Sequence, residues 1–257
     1  MPTVATPAPA AQRDDDEMLA TNQRFYDDFW GGVRLIQAER FNTWPLVQSL
    51  LPPSGMQVEI APGLRPRLPL AKTQFVDISN AALHALRAHG ASAVRAQISS
   101  LPFPSGTFDL VCALDIVEHV DDDDAAVTEI VRIARPGAYI LLSVPLHSAR
   151  WTAFDDFCGH RRRYEPDQLQ RILTHHGLSV QRSAIYGMQP KSSKLLDLGM
   201  WWMTHQRERA MWWYNRAIMP LSVRFQKKLT FETGMRDPTH VDELLLVCRK
   251  QSAPQMP

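Results

Sequence analysis

Apolar positions along this chain repeat with two periods, and the change from one to the other marks out its elements. Between Met18 and Trp30, the residues Phe25, Tyr26, Phe29 and Trp30 fall at helical spacings before Gly31-Gly32, which predicts an aromatic helix beside a hinge. A second helix is expected from Val33 to Leu51, with Leu35, Ile36, Phe41, Trp44 and Leu46 as its core positions, a kink at Pro45 and an end at Pro52-Pro53-Ser54-Gly55. Short extended runs then alternate with helical ones. Strands are predicted at Met56 to Ile60, Gln74 to Ile78, Ala93 to Gln97, Phe108 to Leu114, Tyr139 to Val144, Ser179 to Tyr186 and Glu243 to Arg249. Helices are predicted over Asn80 to His89 with Ser79 as N-cap, from the acidic run Asp121 to Asp124 as far as Ile133, and over Pro166 to His176. Such alternation implies an α/β fold, a mostly parallel sheet with helices on both faces.

Composition changes this picture little. Hydrophobic residues make up 45% and charged residues 21% of the 257, and the formal net charge is +1. That is ordinary for a globular chain, and no basic field recommends a nucleic-acid partner. Cys112, Cys158 and Cys248 are far apart, which implies neither a zinc site nor a disulfide framework and suits the cytoplasm. Residues 1–17 are rich in Pro and Ala and lack the features of a signal peptide, so a disordered leader is expected. Between the last two strands, residues 188–237 carry Met200, Trp201, Trp202, Met203, Met211, Trp212 and Trp213, interleaved with Arg207, Arg209, Arg216, Arg224, Lys227 and Lys228. Amphipathic helices follow from that pattern, as a cap over a ligand, a dimer interface or a membrane-surface contact, in that order of preference.

The chemistry-bearing stretch is Val58 to Asp77, read as strand, tight turn, short crossover and second strand. Gly63 lets a ligand approach the backbone, Ala61 is nearly as small, and Asp77 at a strand end can receive paired ribose hydroxyls. A dinucleotide fingerprint would place its glycines at Ala61, Gly63 and Pro66, and only one is present. Gly63 and Asp77 are 14 residues apart, against roughly 20 in nicotinamide-binding units, which argues against a dehydrogenase.

Several motifs in order, VEIAPG, FVDIS, LPFPSGTFDLV, ALDIVEHV and RPGAYILLSVP, resemble the class I S-adenosylmethionine-dependent methyltransferases, in particular the small-molecule group with an LPF turn before the fourth strand. The resemblance covers roughly residues 20 to 190 and the final strand. It implies a Rossmann-like, seven-stranded, mostly parallel sheet over 18–187 and 238–250. The aromatic helix either packs on the core or forms an N-terminal helical lid, and the residue pattern of 188–237 makes that segment a helical cap inserted before the last strand. The resemblance also implies that S-adenosylmethionine is the cofactor. Glu59, Ala61 and Gly63 would form the turn against its methionine part, Asp77 would bind the ribose hydroxyls, and Ile78 would pack on the adenine. Gln97 and Ile98 would sit beside the adenine, Asp115 and Ile116 would face the cofactor, and Glu118-His119 would begin the wall towards the acceptor. Tyr26 falls to the cofactor if the aromatic helix is a lid. Arg65 is a candidate partner for the cofactor's carboxylate, or else a solvated arginine.

Methyl transfer from a sulfonium requires alignment and exclusion of water more than a covalent nucleophile. An acceptor hydroxyl or protonated amine also needs a base, for which histidine suits neutral pH. The candidates are His119, His147 and His160. His160 lies in FDDFCGHRRRY, a GHxRRY stretch that in a subgroup of the resembling family sits beside the acceptor pocket, with Tyr164 as a further catalytic candidate. Arg161, Arg162 and Arg163 either grip a carboxylate or phosphate or pair with Asp155, Asp156 and Glu165. Asp155, Asp156 and His160 on one loop, without a second cluster, give no metal site, and none is predicted. The resulting expectation is methylation of an oxygen or nitrogen of a small, partly apolar acceptor by a monomer or homodimer. The alternatives are a cofactor-binding scaffold without catalysis, or a methyltransferase working on a lipid or carrier-linked substrate at a membrane surface.

Overall fold

The computed structural model describes residues 33–187 and 204–252, together with residues 23, 24, 26, 27, 29, 30, 198, 199, 201 and 202. The expected leader, the Gly31-Gly32 hinge, Phe25, Met200 and Met203 lie outside the described residues.

Eight strands form one sheet: β1 (Gln57–Ile60), β2 (Thr73–Asp77), β3 (Ser92–Arg95), β4 (Phe108–Leu114), β5 (Ala134–Pro145), β6 (Leu178–Ile185), β7 (Glu232–Thr233) and β8 (Glu243–Lys250). Their order is β3-β2-β1-β4-β5-β8-β6-β7. The first five are parallel to one another, while β8 runs antiparallel to both β5 and β6. Seven strands are expected from the sequence. The eighth, β7, is a two-residue edge strand on β6, too short to leave a period-two signature, and it lies within the segment expected to be wholly helical.

Alternation along the central strands explains the layering. Phe108, Val111 and Ala113 of β4, Ile140, Leu142 and Val144 of β5, and Leu244, Leu246 and Cys248 of β8 enter one core. Leu110 and Cys112, Leu141, and Leu245 and Val247 enter the core on the opposite face. Because successive side chains point to opposite faces, strands buried on both sides read as unbroken apolar runs.

Helices among the described residues include α1 (Trp44–Leu50), α2 (Asn80–Ala88), α3 (Asp123–Ile133), α4 (Ala153–Cys158), α5 (Pro166–His175), α6 (Arg207–Trp213) and α7 (Met219–Arg224). Residues from α3 and α5 cover the first face, and Leu46 and Val47 of α1 cover the second. Ser79 caps α2 by accepting the Ala82 amide at 3.2 Å, and Asp122 caps α3 by accepting that of Ala125 at 2.9 Å.

Two expectations are corrected. No helix runs from Val33. The chain is irregular as far as Gln37, makes a short 3-10 turn at Ala38–Arg40, and enters α1 with Pro45 in the first turn. A first-turn proline has no intrahelical partner to lose, so it starts this helix rather than kinking it. The loop after β5 also contains a helix, α4. Thr152 and Asp155 form a capping box at its start, and Gly159 ends it in the left-handed conformation.

Helix α6, a π-helical turn over Tyr214–Ile218 and α7 follow one another, and Met219, Val223 and Tyr214 pack on Phe41 and Ile36. The inserted segment thereby meets the segment after the aromatic helix, above the turn that follows β1. Exposed large apolar residues gather here as well: Trp201, Trp212, Trp213, Ile218, Leu221 and Phe225.

Candidate functional site

The turn after β1 is built around two buried carboxylates. Glu59 is 3% exposed and accepts the backbone amides of Arg67 (2.8 and 3.0 Å) and Leu68 (2.8 Å). Burial raises its pKa to about 7, against those hydrogen bonds, which lower it. The side chain braces the Pro-rich crossover from within. Asp77, at the end of β2, accepts the Gly63 amide at 3.0 Å and the Ser79 amide at 2.8 Å. Burial raises its pKa to about 6, opposed by the same amides. A carboxylate offers about four lone-pair positions, so Asp77 keeps acceptor capacity beyond these two bonds.

Ala61 and Gly63 both have positive φ, 54° in each case. The ring of Trp30 lies against Gly63, and a Cβ there would meet it at 2.1 Å. Glycine is required by both the conformation and the contact. Asp27, also on the N-terminal segment, accepts from the Ser79 hydroxyl (2.7 Å) and the Ala81 amide (3.0 Å), which ties that segment to the start of α2.

Arg65 extends from the turn beneath the rings of Trp30 and Tyr214, with its guanidinium carbon 5.3 and 5.2 Å from their centroids. One Nη is 3.4 Å from the Tyr214 hydroxyl. Its Nε and other Nη are buried with no hydrogen-bond partner among the described residues. Buried guanidinium donors in that state call for an acceptor, and a carboxylate matches their fork geometry. The solvated alternative does not apply to those two atoms. These donors, with the spare lone pairs of Asp77, fit a cofactor that carries a carboxylate at one end and a ribose diol further along.

Ile78 is half-buried. At the end of β3, Gln97 is exposed, while Ile98 is 6% exposed and belongs to the first core. After β4, Asp115 is exposed with φ 51°. Its amide donates to Ser143 Oγ at 2.8 Å, and its carboxylate accepts from the Ser143 hydroxyl. Ile116 beside it is half-buried.

His119 and His160 come together across two loops, with ring centroids 4.7 Å apart. The Tyr26 hydroxyl is 3.2 Å from His119 Nδ1, so three residues widely spaced in sequence meet at one place. Burial, with the neighbouring His160, drives the pKa of His119 down to about 3 and leaves it neutral. Burial also lowers that of His160, opposed by Asp155. His160 Nδ1 is 2.8 Å from Asp155 Oδ1, and Asp155 is clamped by Arg163 at 2.9 and 2.8 Å.

The other two candidates sit elsewhere. His147 directs Nε2 at the Pro238 carbonyl at 2.8 Å. Tyr164, 2% exposed, donates its hydroxyl to Asp123 at 2.8 Å, and burial pushes its pKa upward. It anchors the start of α3. The three arginines of the motif are paired: Arg161 with Asp121 at 3.3 Å, Arg162 with Asp123, and Arg163 with Asp155. Two of these acids come from the run that starts α3, whereas Asp156 receives the Trp151 indole at 2.9 Å. Periodicity gave no sign of Trp30 on Gly63, Tyr214 on Arg65 or Asp27 on α2, because all three are long-range contacts from segments with no strand or motif of their own.

Comparison with known proteins bears on the fold. Residues 57–142 match the family model described as a methyltransferase domain, which spans β1 to β5 and both carboxylates of the turn. Ajmaline N-methyltransferase of Rauvolfia serpentina is 32% identical over 81 residues, 32% of this chain and 25% of that protein. The match thus spans about a quarter of that relative. A SAM-dependent methyltransferase of Thermotoga maritima, described as a possible histamine N-methyltransferase, superposes with TM-score 0.56 at 16% identity, over 83% of this chain and 91% of that one. The [4+2]-cyclase SpnF superposes with the same TM-score and identity, over 90% and 95%. The fold is therefore the α/β Rossmann-like methyltransferase fold with a mostly parallel sheet. At these identities the structural likeness carries the fold alone.

Proposed function

We propose that this protein is an S-adenosylmethionine-dependent methyltransferase acting on an oxygen or nitrogen of a small, partly apolar acceptor. The observation that carries the reading is that Asp77, at the end of β2 and bonded to Gly63 of the turn after β1, stands with buried donors of Arg65, on that turn, that have no partner among the described residues: a diol acceptor and a carboxylate clamp. When bound, the cofactor supplies a methyl carbon on a sulfonium. Asp77 holds its ribose end, Ala61 and Gly63 border its methionine part with Glu59 bracing the turn from within, Arg65 holds its carboxylate, and Ile78, Gln97 and Ile98 flank the adenine. Asp115, Ile116 and Tyr26 face it from the far side of the cleft. Trp30 and Tyr26 form a lid, and the segment 188–237 caps the acceptor side, which keeps water from the reacting atoms. His160, with Nδ1 on Asp155 and Nε2 directed inward beside His119, takes the acceptor's proton. The N-methyltransferase name of the matched relative supports a nitrogen acceptor, and the exposed tryptophans of the insertion support an apolar one.

The test is a kinetic split. His160→Ala is expected to lower turnover by about 10²- to 10⁴-fold while leaving cofactor affinity within a few-fold. Equal loss of both, or loss of neither, rejects this role. A second reading, a cofactor-binding protein without methyl transfer, draws on the single-glycine turn and on the cyclase that shares the fold. Appearance of a methylated product, by mass spectrometry with any acceptor, eliminates it.

A further inference from the structure

We propose that Glu118, His119 and His160 bind a divalent transition-metal ion. The three residues come from two loops, the turn after β4 and the end of α4, and the Arg161 amide locks these loops together by donating to the Glu118 carbonyl at 2.7 Å. One potential ligand atom from each residue lies within 4.8 Å of the others. Two of the side chains, His160 and Glu118, also show that something is missing between them. Asp155, paired with Arg163, accepts from His160 Nδ1, so the lone pair of that ring is on Nε2. Nε2 faces Glu118 Oε1 at 4.0 Å, across a gap too long for a hydrogen bond. Glu118 is 1% exposed, and its Oε2 has no hydrogen-bond partner among the described residues. A buried carboxyl group facing the His160 lone pair across that gap is an arrangement that a cation would fill, holding Glu118 ionised.

The donor set selects the kind of cation. A substrate ammonium would be held by carboxylates and carbonyls, whereas an imidazole oriented by its own carboxylate, as Asp155 orients His160, is the usual support of a metal ligand. Two nitrogens and one oxygen suit zinc, iron(II), cobalt(II) or manganese(II) better than calcium or magnesium. With bonds of about 2.0–2.2 Å, ligand atoms around a tetrahedral ion would lie about 3.3 Å apart, so the side chains would close inwards on binding. The ion would then lower the proton affinity of a bound acceptor, and in the metal-bound chain this would replace the proton-accepting role proposed above for His160. The inference does not rest on the methyltransferase reading, because metal binding is measured without cofactor or acceptor.

The experiment strips the full chain with a chelator and dialyses it against cobalt(II) or zinc(II). Metal content is read by mass spectrometry and the cobalt spectrum in the visible range. About one equivalent per chain is expected, with imidazole-type cobalt bands. Glu118→Gln and His160→Ala should each weaken binding more than about tenfold, and Asp155→Asn by about 10- to 100-fold. Circular dichroism checks that each variant is folded, and His176→Ala, in the separate group with Asp124 and His175, should leave affinity at the Glu118 site unchanged. No stoichiometric uptake by the wild type, or wild-type affinity in folded Glu118→Gln, overturns the proposal. Saturable cofactor binding alongside either of those results would leave the methyltransferase reading standing.

Discussion

At the scale of single residues, two buried carboxylates set the behaviour of the turn after β1. Asp77, with its pKa raised to about 6, becomes protonated below that pH and loses acceptor capacity for a diol. Cofactor affinity should therefore fall as pH is lowered through about 6, and Asp77→Asn should bind weakly with a flat profile over the same range; isothermal calorimetry at pH 5 to 8 decides. Asp27 faces the same carboxyl and raises its pKa further, so Asp27→Asn should move the midpoint downward. Glu59 acts on stability. Its folded pKa of about 7 lies above the ordinary value of 4.5, so the folded state binds this proton more tightly than the unfolded state does. Its contribution is fully present below about 4.5 and is lost as pH rises through 7. The melting temperature of the wild type should thus fall more steeply from pH 5.5 to 8 than that of Glu59→Gln. At any pH, Glu59→Ala leaves the buried amides of Arg67 and Leu68 unpaired, at a cost of about 1–3 kcal/mol each. The sequence shows that a carboxylate stands at each of these places. It does not show that Glu59 turns inwards to the crossover, because that depends on where Arg67 and Leu68 return to it.

At the scale of elements, what was legible follows the strength of local signals. The strands with unbroken apolar runs, and α2, α3 and α5 with their caps or first-turn proline, are read from the chain to within a few residues. The stretch Val33 to Leu51 misled because its apolar spacing fits a helix that tertiary contacts override: Ile36 is held by the Leu64 carbonyl at 3.0 Å, and Phe41 by Met219 and Val223. α4 escaped notice at six residues, too short to show periodicity. The aromatic segment and the turn after β1 act as one unit through Trp30 and Gly63. Gly63→Ala should be destabilising by about 1–3 kcal/mol, from its positive φ and the collision with the indole. Trp30→Ala should relieve the collision and leave only the backbone cost, so the double variant should be more stable than additivity predicts, as chemical denaturation would show. In the motif after α4, Arg163→Met leaves Asp155 buried without its partner. A loss of about 3–5 kcal/mol is expected, together with loss of orientation at His160.

For the whole molecule, the topology brings the chain's reactive groups to one end of the sheet. The turn after β1, the end of β2, the loop after β4 and the loop after β5 all lie at the carboxyl ends of parallel strands, where ligands of doubly wound sheets bind. That convergence is why a motif order readable in sequence becomes a site, and why His147, on the same loop as His160 but turned to Pro238, does not join it. The inserted segment is the part least legible from sequence, since its tryptophans serve a cap, a dimer or a lipid surface equally well. Among the described residues no helix is long and apolar enough to cross a membrane. Trp212, Trp213 and Phe225 stand 49%, 50% and 71% exposed. If they cover the acceptor, Trp212→Ala with Trp213→Ala should raise KM for an apolar acceptor without altering cofactor affinity, and sedimentation with anionic liposomes should be absent. The most direct test of the central claim is calorimetric titration of the protein with S-adenosylmethionine and its demethylated product, repeated with Asp77→Ala. Saturable binding of about one equivalent by the wild type, weakened at least about tenfold in the variant, is the predicted result. No binding by the wild type, or equal binding by both, would contradict it.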